Sequence, residues 1–237
     1  MFLFLKKYKI EVIIFVLAII IRIFLLSVNL DVNNGDFEAT IHGSDWYFEV
    51  SQNLYAGNGF SLDGVSPSAI HVPVYPYFLA LSLFFFGNYI FAVIVQIIIG
   101  ALIPILAMRL SSKIIPSRKV SLFVGFFLAL ELNFVLFSFI FFTETLFIFL
   151  FLLSMLAFIR YLGRGQIRYL LVFTVLLGVA TLTKTVVQFY PLFVLPVIAQ
   201  ETKKEVRETV TVVKSYNPEI EPSKKQALIP NKTNFEK

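Results

Sequence analysis

The chain contains no cysteine in its 237 residues and only two histidines. A disulfide framework, a cysteine-ligated metal site and a thiol nucleophile are therefore excluded. Several motifs are also missing from the sequence: a phosphate-binding P-loop, a dinucleotide fingerprint, a zinc-binding helix and a nucleophile elbow. No long basic face interleaved with aromatic residues occurs, so we predict no nucleic-acid partner.

Charged residues are also few, at 15%, whereas hydrophobic residues make up 58% and include 28 phenylalanines. The mean hydropathy is +0.82, and a soluble domain has an apolar share nearer ~45–50%. This composition predicts an all-α fold, a polytopic transmembrane helix bundle in the lipid bilayer. The formal charge of +5 comes mainly from short basic connectors between apolar runs. We therefore interpret it as a topology signal.

Apolar runs predict about six membrane spans, because ~20 residues of helix cross ~30 Å of hydrocarbon. The first run follows three lysines, is too long for a signal peptide and has no small-residue cleavage site after it. The last run is short and contains two prolines. The runs are Ile10 to Leu30, Tyr89 to Met108, Val120 to Phe137, Thr145 to Ile159, Tyr169 to Thr185 and Val187 to Ala199.

One further apolar stretch, Val72 to Phe86, opens with Pro73 and Pro76 and stops at Gly87. We interpret it as a juxtamembrane or re-entrant helix, because the basic connectors satisfy the positive-inside rule only if it does not cross. The prediction is then a multi-pass protein of the cell membrane with both termini in the cytoplasm. Residues 1–199 would form the transmembrane domain with an outer first loop at 31–87, and residues 200–237 a polar, disordered cytoplasmic tail.

The stretch from Asp31 to Pro73 is a polar island directly after the first span. Hydrocarbon penalises every carboxylate, so this loop predicts a site at the water interface. Within it, Asp45 precedes a short helix that ends at Gly57, lies on the membrane surface and carries Trp46 at headgroup level. We expect one face of this helix to carry Tyr47, which also lies at headgroup level, and Val50, Ser51 and Leu54.

Glu144 begins a predicted span, with Thr143 ahead of it as an N-cap, and would face the same outer side as Asp45. Each acid alone is explained as a first-turn carboxylate that the helix dipole favours. Together they could also activate an acceptor and hold a counter-ion. Arg22 inside the first span leaves two interpretations open as well: a structural or snorkelling arginine, or a cation near a substrate phosphate.

A family resemblance appears when several short motifs are taken in order. Asp45 and Tyr47 are followed by the segments 56–60, 71–80 and 86–87, then by 142–146 around Glu144 and 181–185 around Lys184. This order resembles the GT-C membrane glycosyltransferases, in particular protein-mannosyltransferase-like and aminoarabinose-transferase-like enzymes of the cell envelope that use polyprenyl-phosphate sugars. The resemblance covers residues 1 to 199.

The resemblance implies a glycosyltransferase that moves a hexosyl or pentosyl group from a polyprenyl-phosphate donor to a lipid, glycan or protein acceptor at the extracytoplasmic face. Asp45 and Glu144 are the implied catalytic acids and, with a divalent metal ion as cofactor, the implied metal ligands. Lys184 is the implied contact for the lipid phosphate. The other implied substrate-binding residues are Tyr47, His71, Tyr75 and Arg22.

Three alternatives stay open from the sequence alone. His42 and His71 are equally well explained as solvated loop histidines with no task. Relatives of this kind usually run to about twice this length, so the chain is also explained as a truncated or split non-catalytic subunit that binds lipid-linked sugar, with a second chain supplying the missing spans. A transporter is disfavoured, because no paired broken helices or inverted repeat occurs.

Overall fold

The computed structural model describes residues 8–200, and within them the all-α prediction is confirmed. The described residues form helices and no strand, with one isolated bridge between Ser61 and Pro67. The helices are α1 Lys9–Val32, α2 Phe37–Ile41, α3 Tyr47–Ala56, α4 Val74–Phe86, α5 Ile90–Ile114, α6 Arg118–Leu130, α7 Leu132–Leu136, α8 Glu144–Arg164 and α9 Ile167–Thr181, followed by a 3-10 turn at Thr185–Val187.

The chain divides into two compact units, Met1–Gln188 and Phe189–Lys237. Every side chain discussed below lies in the first unit. In the second unit, residues 190–200 are helical. The predicted disordered tail, apart from its first residue, lies outside the described residues.

Among residues 8–200, three helices are long and apolar enough to cross a membrane: α1, α5 and α8, with 24, 25 and 21 residues. At about 1.5 Å of rise per residue, each is longer than the ~30 Å hydrocarbon layer. The shorter apolar helical segments are α4, α9 and Thr185–Gln200, the last of which starts with the 3-10 turn. The chain is therefore a helical membrane protein, and the count of six spans stays a prediction.

The predicted run from Val120 to Phe137 is not one helix. It is broken at Glu131, which has an extended backbone at φ −63° and ψ 124° and separates α6 from α7. The Glu131 carboxylate accepts a hydrogen bond from the backbone N–H of Phe134 at 2.8 Å. Glu131 is thus the N-cap residue of α7. The high hydropathy of the whole run hid this second helix start.

Helix α4 has the boundaries that its flanking residues predict. Pro73 precedes it, and it ends at Gly87, whose φ of 67° suits a residue without a Cβ. The backbone N–H of Val74 donates to the carbonyl oxygen of Leu182 at 3.1 Å. This bond ties the start of α4 to the end of α9. Whether α4 crosses the membrane stays a prediction.

Arg22 is fully buried among the long helices. Its guanidinium donates to the carbonyl oxygens of Ala18 at 3.0 Å and of Phe134 at 3.3 Å. Room for it depends on Gly100, because a Cβ at that position would lie 3.0 Å from Arg22 Nε and 2.8 Å from the Cβ of Ser138. The close approach of α1, α5 and the segment after α7 therefore requires this glycine.

We expect Gly100→Ala to lower the melting temperature of the purified protein by a few degrees, because overpacking typically costs about 1–3 kcal/mol. The matched control is Gly178→Ala in α9, where an added Cβ meets no atom within 4 Å. That change should leave the melting temperature unchanged or raise it, since alanine favours a helix over glycine by about 1 kcal/mol. Equal effects of the two substitutions on the melting temperature would contradict the packing argument.

Candidate functional site

An ion pair lies at the start of α8. The Lys184 ammonium, in the connector after α9, donates to Glu144 Oε1 at 2.5 Å. Both side chains remain partly exposed, Lys184 at 38% and Glu144 at 25%. The Thr143 hydroxyl donates to the other carboxylate oxygen, Glu144 Oε2, at 3.3 Å. The carboxylate is thus held at both oxygens while the lysine stays reachable from solvent.

Thr143 stands at the N-cap position of α8 as predicted, but its side chain makes no capping hydrogen bond. Thr143 has helical backbone angles, φ −70° and ψ −18°. A capping residue normally adopts the extended region so that its oxygen can reach the free N–H groups. The prediction that Glu144 begins the helix is confirmed.

The first loop is fixed to the turn that precedes Glu144. The backbone N–H of Phe141 donates to the carbonyl oxygen of Ile41 at 2.8 Å. Gly43 lies so close that a Cβ there would overlap the carbonyl oxygen of Phe141. Because α3 begins four residues later at Tyr47, this contact sets where Asp45 and Tyr47 lie relative to Glu144.

Three rings join α3 to the start of α4. Tyr47 makes edge contacts with His71, at 4.9 Å between ring centroids, and with Tyr75, at 5.1 Å. Tyr75 is fully buried, and its hydroxyl donates to Gln96 Oε1 in α5 at 3.1 Å. His71 Nδ1 is buried and has no hydrogen-bond partner within residues 8–200. The rings form a wall beside the ion pair.

The electrostatics of Tyr47 link both acids to this wall. Burial raises the pKa of Tyr47, the nearby carboxylates of Asp45 and Glu144 raise it further, and hydrogen bonding with Thr143 opposes them. The phenol therefore remains a protonated donor at neutral pH. Asp45 itself is exposed and, in the part of the chain that the structure describes, has no side-chain hydrogen bond. Its carboxylate is available to an external group.

The structure thus brings together Asp45, Tyr47, His71, Tyr75, Glu144 and Lys184, which we call the interface cluster. Arg22 is bonded elsewhere, to main-chain carbonyls of α1 and α7. His42 also lies apart, 3.2 Å from Glu49 Oε1. Gln96 was not predicted as a site residue, although a lone amide inside the apolar α5 is itself a signal for a buried polar contact.

The short helix α3 ends at Gly57 as predicted, with a left-handed φ of 83°. Val50 and Ser51 are buried on its inner face. Trp46, the residue directly before α3, is 56% exposed. Tyr47 instead packs against the rings of His71 and Tyr75. The amphipathic pattern therefore identified the correct face of the helix.

The residues present give limited support to a metal site. The described residues contain no group of three or more histidine, aspartate or glutamate side chains that could hold an ion. One oxygen of Glu144 is already occupied by the Lys184 ammonium. Asp45 and Glu144 would have to hold the ion with ligands from substrate or solvent. The metal stays a prediction, and we derive no chemical step through it.

An apolar groove of about 410 Å³ lies beside the interface cluster. One wall comes from α4 and the other from α8 and α9, starting near the residues that flank His71 and Glu144. Nearly all of its surface is hydrocarbon or aromatic. The groove is lined by Pro73, Val74, Tyr77, Phe78, Leu81, Leu146, Leu150 and Val179.

The fold and this arrangement define a helical membrane protein with a charged cluster at the head of an apolar groove. A family model described as dolichyl-phosphate-mannose-protein mannosyltransferase matches residues 70–215. This match covers more than half of the chain, which therefore belongs to that family of membrane glycosyltransferases. Searches of curated proteins and of solved structures returned no match.

A double-mutant cycle of Glu144→Gln and Lys184→Met should give a coupling of about 1 kcal/mol, the upper end for a partly exposed pair, because two hydrogen bonds order the carboxylate. Melting temperatures of the four proteins in detergent would measure it. In the control cycle, Glu144→Gln is combined with Lys113→Met, an exposed lysine at the end of α5. The control should be additive, and coupling of equal size in both cycles would contradict the pair.

Proposed function

We propose that the chain transfers a sugar from a polyprenyl-phosphate donor to a hydroxyl or amine of a lipid, glycan or protein at the extracytoplasmic membrane face. The observation that carries the proposal is the Lys184–Glu144 ion pair beside exposed Asp45, at the head of the apolar groove. A polyprenyl-phosphate donor likewise combines a charged part, the phosphate, with an apolar part, a long hydrocarbon chain. Membership in the mannosyltransferase family supports this reading.

The groove suits the hydrocarbon part of the donor. Its lining is almost free of polar surface, so an isoprenoid chain would lose contact with water there without burying unpaired polar groups. Leu146 lies two residues from Glu144, and Val74 is bonded to Leu182, two residues from Lys184. A chain in the groove would therefore leave its phosphate close to the lysine.

Lys184 is suited to hold that phosphate. An ammonium has three N–H donors, and one of them is used by Glu144 Oε1. The other donors can point to a phosphate oxygen, since 38% of the side chain is exposed. Glu144 then acts as a positioning residue that orients the lysine. His71, whose ring contacts Tyr47, adds an aromatic wall beside the same site.

Asp45 is the residue we assign as general base. Its exposed carboxylate takes the proton of the acceptor hydroxyl or amine, and the acceptor atom attacks the anomeric carbon. The bond between that carbon and the phosphate oxygen breaks, and the electron pair leaves with the phosphate. Attack opposite the leaving group inverts the anomeric centre. Lys184 stabilises the charge that develops on the departing phosphate.

The distribution of charged residues favours a site at the outer face of the membrane. The acidic residues of the first loop and Glu144 lie at one end of the long helices, while basic residues such as Arg109, Arg118 and Lys119 lie at the other end. Positive residues accumulate on the cytoplasmic side of membrane proteins. The interface cluster would then face outward, where sugar acceptors of an envelope occur.

Membranes carrying the chain should transfer labelled sugar from polyprenyl-phosphate donors, and Asp45→Asn or Lys184→Met should reduce transfer at least about 100-fold. Loss of the base or of the phosphate cation removes a group that acts at the reacting atoms. The matched control is Asp31→Asn, an exposed acid at the end of α1 outside the interface cluster. Equal expression is checked for each variant.

Undiminished transfer by Asp45→Asn would overturn the assigned base. Donor binding without transfer by the unmodified chain would instead favour a non-catalytic subunit that binds lipid-linked sugar. The same assay after chelation and re-addition of Mg²⁺ or Mn²⁺ tests the proposed metal ion. Transfer that survives chelation would remove the ion from the proposal.

Filling the groove should discriminate between donors by chain length. We expect Leu150→Trp to raise KM about 10-fold for a long polyprenyl donor and to leave KM nearly unchanged for one with two isoprene units, because only the long chain needs the groove. Leu171→Trp in α9, which is 58% exposed and outside the groove lining, is the control. An equal loss with both donors would contradict the groove as the chain site.

A further inference from the structure

A second cavity, of about 710 Å³, lies at the other end of the long helices. It is bounded by the start of α1, the end of α5 and the start of α6. The 24 residues of α1 separate it from the first loop, a distance of about 36 Å at 1.5 Å per residue. It is therefore distinct from the interface cluster, and its volume is typical of a ligand site.

The charges around this cavity are unbalanced. Its described lining contains the cations Lys9, Arg109 and Arg118 and one carboxylate, Glu11. Glu11 is engaged at both oxygens by Arg109, with distances of 3.2 and 3.1 Å. Within residues 8–200, neither Lys9 nor Arg118 has an ion-pair partner. Among the described residues, two cations from different helices are thus uncompensated at the cavity.

Neutral donors add to this positive potential. Arg118 is the first residue of α6, whose N-cap, Ser117, makes no side-chain capping bond. The first N–H groups of a helix and its dipole favour an anion. Ser117 also lines the cavity, whereas the hydroxyl of the neighbouring Ser112 already donates to the carbonyl oxygen of Arg109 at 2.8 Å. A phosphate group matches this set of cations and backbone donors.

The surroundings of the cavity are apolar. Ile10, Met108 and Leu122 contribute to its lining. Beyond it, Ile13 on α1 and Phe123 on α6 are exposed at 47% and 68%. Exposed hydrocarbon next to a cationic cavity at the end of membrane helices fits a ligand with acyl chains below its charged head.

We propose that this cavity binds the phosphate group of an anionic phospholipid, with the lipid's acyl chains lying along α1 and α6. Lys9 and Arg118 hold the phosphate, and the Arg109–Glu11 pair fixes the wall between them. The site does not depend on the proposed transferase activity, since it shares no residue with the interface cluster. It would anchor the basic end of the bundle to one leaflet.

The test uses the full chain in a neutral detergent, titrated with phosphatidylglycerol or phosphatidylcholine and followed by native mass spectrometry. We expect phosphatidylglycerol to bind at least about 10-fold more tightly. Arg118→Gln should weaken its binding about 10-fold, the effect of losing one charge-assisted hydrogen bond. The matched control is Lys119→Gln, the next residue of α6, which does not line the cavity. It should change affinity less than about twofold.

Equal affinity for the two lipids would overturn the proposal. So would equal weakening by Arg118→Gln and Lys119→Gln, because that result indicates general surface charge instead of a defined site. Glycerol 3-phosphate, added as a soluble competitor, separates a lipid from a free phosphate ester. Displacement of the lipid by this ester at equal concentration would overturn the lipid as the source of the phosphate.

Discussion

The arrangement of the candidate site depends on one short contact between segments that are 100 residues apart, the hydrogen bond from the Phe141 N–H to the Ile41 carbonyl oxygen. Gly43 allows the two backbones to approach, because any side chain there would overlap the Phe141 carbonyl. This contact places the acidic loop against the residue that starts α8. Hydrogen bonding between Tyr47 and Thr143 joins the same two segments a second time.

The two ends of the helix bundle differ in the balance of charged side chains that lie next to apolar surface. At the interface cluster, Lys184 is paired with Glu144, and Asp45 of the first loop is exposed. At the second cavity, three cations outnumber one carboxylate, which favours an anion there.

Much of the fold follows from local signals in the sequence. Length and hydropathy predicted the spans α1, α5 and α8, and Gly57 and Gly87 predicted the ends of two shorter helices. The break at Glu131 was not predicted, because the mean hydropathy of the surrounding run stays high even though one acid in it caps a new helix. The contacts within the site were not predictable either, since they depend on tertiary packing. Examples are the ring contacts of Tyr47 with His71 and Tyr75 and the close approach of Gly43 to the backbone of Phe141.

Several polar side chains of apolar helices donate hydrogen bonds to the backbone of α7 and of the segment directly after it. The carbonyl oxygens of Val135 and Leu136 accept backbone hydrogen bonds from the turn that follows α7. Those of Phe134 and Phe137 accept hydrogen bonds from side chains, and an unpaired carbonyl would be costly away from water. Arg22 donates to the Phe134 carbonyl, and Gln96 and Thr145 both donate to the Phe137 carbonyl, at 3.4 and 2.6 Å. Three helices thereby fix the segment that leads into the loop contact and Glu144. The buried cation in α1 therefore has a structural task, and a role for it at a substrate phosphate stays a prediction.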